Sequence, residues 1–284
     1  MNLQKVKNYL IQFESRGSNL ENVNNCLHDL KRVFVKNNNQ DLAKNVWCYE
    51  QILTIQTDYL STFEQLKNGE FFNAWQNLEK LEIALDSLSA HFDINSDTYF
   101  LKSINRHVRA FQLLFPYKYF ASAEIVKKEV VCSTCEKKIS IRNPCGHKPG
   151  EIYNGEICHR IITKAKPLGI ALVTNPGHKY SALVNIQDES GEYSDMHDYS
   201  LLREMLNILE GPFEGWGVRK YKKTYLHEEF KDLKGEDRCP CGSGKIFFEC
   251  CNSKPGILLD HYDFLVSPDK KVKFVQNRII SGSK

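Results

Sequence analysis

The stretch CPCGSGKIFFECC, residues 239–251, holds four of the chain's ten cysteines. A segment this short has no apolar core of its own, so thiols at that density imply that something other than burial holds it. The first residues, MNLQKVKNYLIQFESRGSN, carry neither the apolar h-region nor the small-residue cleavage site of a secretory leader. No apolar run approaches the ~20 residues of a membrane span. The expectation is a cytoplasmic protein without membrane contact, whose thiols stay reduced. Clustered cysteines in that setting point to a metal rather than to disulfides.

Cys239 and Cys241 are one residue apart, and Cys250 and Cys251 are adjacent. Four thiolates complete a tetrahedral shell for Zn²⁺, a d¹⁰ ion suited to soft sulfur ligands. Gly242, Ser243 and Gly244 let the backbone turn tightly beneath the sulfurs. Lys245 supplies positive charge beside a dianionic site, and Phe247 and Phe248 are expected to cover it from one side. The stretch resembles the SEC-C metal-binding motif, whose best-known example is the C-terminal tail of the SecA translocation ATPase. The resemblance implies Cys239, Cys241, Cys250 and Cys251 as zinc ligands, and a chaperone or ribosome as the kind of partner. Two departures stand out. Ile246 and Phe248 replace the basic residues common around the motif's central aromatic, and Glu236-Asp237-Arg238 replaces its usual lead-in. They predict an apolar knob packed on its own domain rather than a basic docking face.

A second cluster, CSTCEKKISIRNPCGHKPGEIYNGEICH, offers Cys132, Cys135, Cys145, His147, Cys158 and His159. A Cys-x-x-Cys knuckle followed by a Cys-Gly-His turn is a credible zinc site. The preferred shell is Cys132, Cys135, Cys145 and His147, with Cys158 as the alternate. His159 adjoins Cys158, and neighbouring strand positions face opposite ways, so it is not assigned. Glu151 and Glu156 lie near enough in sequence to act as a base if the zinc were catalytic. The surplus of ligands instead favours a closed, structural site. Two Zn²⁺ per chain are expected. The segment CGHKPGEIYNGEIC also resembles a Cys-x-His, Pro-Gly, Tyr-x-Gly, Cys pattern of small zinc elements in phage-related proteins.

Hydrophobic periodicity places these clusters in an α+β chain: an N-terminal helical bundle, a small zinc-stabilised antiparallel β domain and a C-terminal zinc-binding tail. Phe71, Ala74, Leu78, Leu81, Leu85, Leu88 and Phe92 form one helical stripe. Leu42, Val46, Tyr49, Leu53, Leu60 and Phe63 form another, broken by Gln56. Tyr99, Ile104, Val108 and Phe111 mark a third, stopped by Pro116. Short loops between them predict antiparallel packing over 1–118. Apolar, β-branched runs punctuated by Gly and Pro then predict strands in a zinc-containing segment, 119–230, that also holds a helix at about 197–209. The zinc knuckle occupies 231–256 and a tail 257–284. Net charge is only +3, yet basic residues gather around both cysteine clusters and acidic ones between them.

No phosphate-cradling loop, nucleophile elbow or zinc-protease motif is present. The function expected is therefore a zinc-binding adaptor without catalysis of its own, docking a protein partner or RNA or the ribosome. The alternatives are a zinc-dependent hydrolase or nuclease using the central site, or a subunit of a phage-defence or phage-related system.

Overall fold

A computed structural model describes residues 2–13, 20–187, 191–195 and 197–267. Of the expected tail, 268–284 lies outside the described residues, as do 188–190 of the acidic loop. The fold is α+β, with helices leading and small antiparallel sheets following. Among the described residues no helix is long and apolar enough to cross a membrane.

Two compact units divide the chain. The first holds α1 (Leu3–Ile11), α2 (Leu20–Lys36), α3 (Gln40–Asn68), α4 (Phe71–Ser89) and most of α5 (Leu101–Leu114). Asn39 starts α3 by accepting the Leu42 amide with its side chain at 3.1 Å. Gly69 ends it in the left-handed conformation, φ 79°, which glycine adopts without strain. The resulting short turn returns the chain along α3 as α4. α3 packs against both α2 and α4, and it buries far more than one stripe: Trp47, Ile52, Ile55, Tyr59 and Leu66 are enclosed along with Val46, Tyr49, Leu53 and Phe63. Leu42 and Leu60 are half-buried. In α4 every stripe residue from Phe71 to Leu88 is buried, while Phe92 lies past the helix end. Gln56, the polar break, is fully buried and donates to the carbonyls of Leu10 at 2.9 Å and Tyr99 at 3.0 Å. Arg109 pairs with Glu82 and Asp86, and Lys102 with Asp97, on the helix's solvent-facing side.

The same unit continues into β1 (Phe120–Cys132), the minimal pair β2 (Ile152–Tyr153) and β3 (Glu156–Ile157), and β4 (Arg160–Val173). β1 and β4 pair antiparallel, from Phe120 opposite Val173 to Cys132 opposite Arg160, with irregular register near Glu124 and Glu129. The apolar stretches on either side of Lys166-Pro167 thus belong to one strand. A loop after β4 returns to the helices, where Trp75 Nε1 donates to the Lys179 carbonyl at 2.7 Å and Glu79 accepts the Lys179 amide at 2.9 Å. A short pair, β5 (Asn185–Gln187) and β6 (Tyr193–Asp195), follows.

The second unit comprises the last residues of α5, α6 (Ser200–Ile208), and the antiparallel pair β7 (Gly217–Tyr225) and β8 (Ile257–Leu265). The C-terminal cysteines lie in the connection between these two strands.

Candidate metal centres

The ends of the long hairpin build the central centre. β1 delivers Cys132 opposite Arg160, the first residue of β4. The chain then turns through Glu136, whose φ of 57° is left-handed, and its amide donates to the Cys132 carbonyl at 2.8 Å. Gly146, at φ 87°, makes the turn that brings Cys145 and His147 back together. The donor atoms of Cys132, Cys135, Cys145 and His147 all lie within 4.8 Å of one another. Cys158 is beside them, with its Sγ 3.7 Å from that of Cys132, and both residues are wholly buried. Its backbone is held from both directions, since its amide donates to Glu151 at 2.8 Å and its carbonyl accepts from Gly150 at 2.9 Å. Burial raises the Cys132 thiol, but the amides of Thr134 and Cys135, with Cys145 and Cys158 close by, bring it down to about 5. This thiolate is ready to ligate at neutral pH.

Arg160 was not singled out in the sequence. Its guanidinium donates to Cys145 Sγ at 3.8 Å and to the His147 carbonyl at 2.7 Å. The available signal was its place two residues after Cys158, on the same side of an extended strand. His159 turns instead to a cleft of about 350 Å³, with Trp47, Lys80, Glu156, Ile157 and Tyr180 among its lining residues. None of the five candidate ligands lines that cleft. Glu156 is tied to Lys31, which also holds Glu50, at 2.6 and 2.7 Å.

The second centre gathers Cys239, Cys241, Cys250 and Cys251, with all four sulfurs within 4.8 Å of one another. Gly242 and Gly244, at φ 77° and 78°, supply the tight turn. Cys250 Sγ is 3.4 Å from that of Cys241, 3.8 Å from that of Cys251, and 3.1 Å from Ser243 Oγ. Burial raises the Cys241 thiol, and the Ser243 hydroxyl and amide bring it down to about 6. Burial pushes Cys251 up to about 12. Cys239, Cys251, Phe247 and Ile257 form one buried cluster, with Phe230, Leu233 and Leu259 packed against it. The knob is therefore seated on its own unit through Cys239 and Cys251 together with Phe247. Phe248, expected to cover the site with it, is 68% exposed; consecutive side chains here diverge, so only one of the two rings turns inward. His227, which carries no local sequence signal, stacks edge-on against Phe247 at 5.5 Å and contacts the Cys251 carbonyl with Nε2 at 3.1 Å.

Sulfurs bound to one tetrahedral ion at ~2.3 Å are about 3.8 Å apart. The separations of 3.4–3.8 Å in the two clusters fit that geometry. Each cluster could hold a metal ion. No protein-family model, curated protein or solved structure matches the chain.

Proposed function

We propose that this protein is a zinc-stabilised adaptor without catalysis of its own, and that its partner is a protein segment adding a strand to β4. Zn²⁺ is the ion that suits closed, sulfur-rich, tetrahedral donor sets with no redox demand. The resemblance of 239–251 to the SEC-C motif supports the same choice for the tail.

The observation that carries the reading is the β1–β4 ribbon. A two-stranded ribbon alone is marginal in water, and this one exposes Ile125, Val126, Ile161, Ile162, Leu168, Ile170 and Leu172. Among the described residues nothing pairs with the outer edge of β4. Natural edges are guarded by lysine or proline, and Lys164, Lys166 and Pro167 guard the first half of β4. The second half, Leu168–Val173, has no such guard, and Ile170 is 79% exposed there. An extended apolar segment with acidic residues toward Lys164 and Lys166 suits this edge. RNA suits the chain less well, because the basic strand β7 already has Lys220 and Lys222 paired with Asp260. A hydrolase at the central site is disfavoured because its ligands do not face the neighbouring cleft.

The test is a native pull-down from cytosol with metal content measured, comparing the intact chain, Ile170→Lys/Leu172→Lys and Cys239→Ser/Cys241→Ser. The adaptor reading expects a defined partner with the intact chain that is lost with the ribbon variant while both metals remain. A partner retained by the ribbon variant and lost with the cysteine variant moves docking to the tail. The same captures from all three overturn the reading.

A further inference from the structure

The central centre offers five donors where a tetrahedral ion accepts four. The mutually close group is Cys132, Cys135, Cys145 and His147, yet Cys158 Sγ lies 3.7 Å from Cys132 Sγ. That is the edge of a tetrahedron of sulfurs around one ion, about 3.8 Å. Cys158 is also firmly placed. It is wholly buried, and its amide and carbonyl are both bonded within the 150–158 turn. Arg160, on the same side of the chain, lays its guanidinium against Cys145 Sγ. A cation in that position suits a centre of four thiolates, which with a divalent ion is dianionic, better than one of three. His147 has a different situation. Its ring is edge-on to Tyr153 at 4.7 Å, its carbonyl is held by Arg160, and its buried Nδ1 has no hydrogen-bond partner.

We propose that Cys158 completes an all-thiolate shell with Cys132, Cys135 and Cys145, and that His147 is a spare donor that takes the fourth place when Cys158 is lost. The inference rests on the reading of this cluster as a zinc centre. It makes the centre tolerant of losing the Cys158 thiol, since the His147 donor atom already lies within 4.8 Å of those of Cys132, Cys135 and Cys145.

Cobalt(II) is the probe, loaded alone into the full chain in place of zinc. Sulfur-to-cobalt charge-transfer absorbance counts bound thiolates, and the tail centre contributes the same four to every form. The intact chain and His147→Ala should each bind two ions with the same spectrum, that of eight thiolates. Cys158→Ser should still bind two ions and lose one thiolate's share of the absorbance, with its ligand-field bands moved toward those of a mixed sulfur–nitrogen shell. Cys158→Ser/His147→Ala should bind one ion. The shell is overturned if His147→Ala changes the spectrum of the centre while Cys158→Ser leaves it unchanged, or if Cys158→Ser alone loses the ion. A chain that binds one ion in every form, including the intact one, overturns the zinc reading of this cluster itself, and that result is distinct from either ligand pattern.

Discussion

At the scale of single residues, the most informative groups in the helical unit are polar ones buried in its core. Gln56 bridges two chain segments by donating to the Leu10 and Tyr99 carbonyls. Replacing it with leucine keeps the volume and removes both donors. Gln56→Leu should therefore lose about 1–3 kcal/mol, read as a lower urea midpoint with an unchanged slope. Tyr59 donates to the Pro212 carbonyl at 2.6 Å, so its oxygen accepts from His107 Nδ1 at 2.9 Å. Burial, with Arg106 adding to it, lowers the His107 pKa to about 4. In the unfolded chain the ring titrates near ~6.5. Between those values the unfolded chain binds a proton that the folded chain refuses. The contribution is complete above pH ~6.5 and is lost as pH falls toward 4, with a slope approaching ~1.4 kcal/mol per pH unit. His107→Gln should flatten the stability profile across that window, measured by urea unfolding between pH 7 and pH 4.5.

Among elements, the segment between His147 and Cys158 links the central centre to the helices. Gln40 and Asn154 exchange two hydrogen bonds of 2.9 Å, one from the Gln40 amide and one from the Asn154 backbone. His91 Nε2 contacts the Gly150 carbonyl at 2.7 Å, and Lys31 bridges Glu50 of α2's neighbour α3 to Glu156. Burial lowers Lys31's pKa, but Glu156 and Glu50 more than offset it and leave it raised. Lys31→Met would strand Glu50, whose carboxyl burial already pushes up. The expected result is faster amide exchange across 150–157 and a loss of about 1–3 kcal/mol. The helices were legible because their apolar residues recur at steps of three and four, and Gly69 and Pro116 end them by local chemistry. The four donors of the tail were legible because they are close in sequence. The docking of 150–156 was not, since Lys31, Gln40 and His91 are ordinary surface residue types whose partners are 59–125 residues away. Nor was the inward choice of Phe247 over Phe248, which depends on Ile257 and Phe230 arriving from elsewhere in the chain.

For the whole molecule, the zinc reading proposed above makes the two units depend on metal to different degrees. The helical unit buries a broad apolar core along α3, α4 and α5 that involves no metal ligand. In the second unit, two of the four buried residues around the tail centre, Cys239 and Cys251, are themselves ligands. Loss of an ion held there would loosen part of the core and leave sulfurs crowded at 3.4–3.8 Å. Structural zinc sites contribute an apparent ~10–16 kcal/mol to the folds that hold them. Chelation at neutral pH should therefore open the 231–256 knuckle to protease and amide exchange first. The 132–160 segment should loosen next, and the helical circular dichroism should be largely retained. Acid should act in the same order as chelation, because protons compete with metal for thiolates. Simultaneous loss of helix and tail on chelation would remove the distinction drawn between the two units.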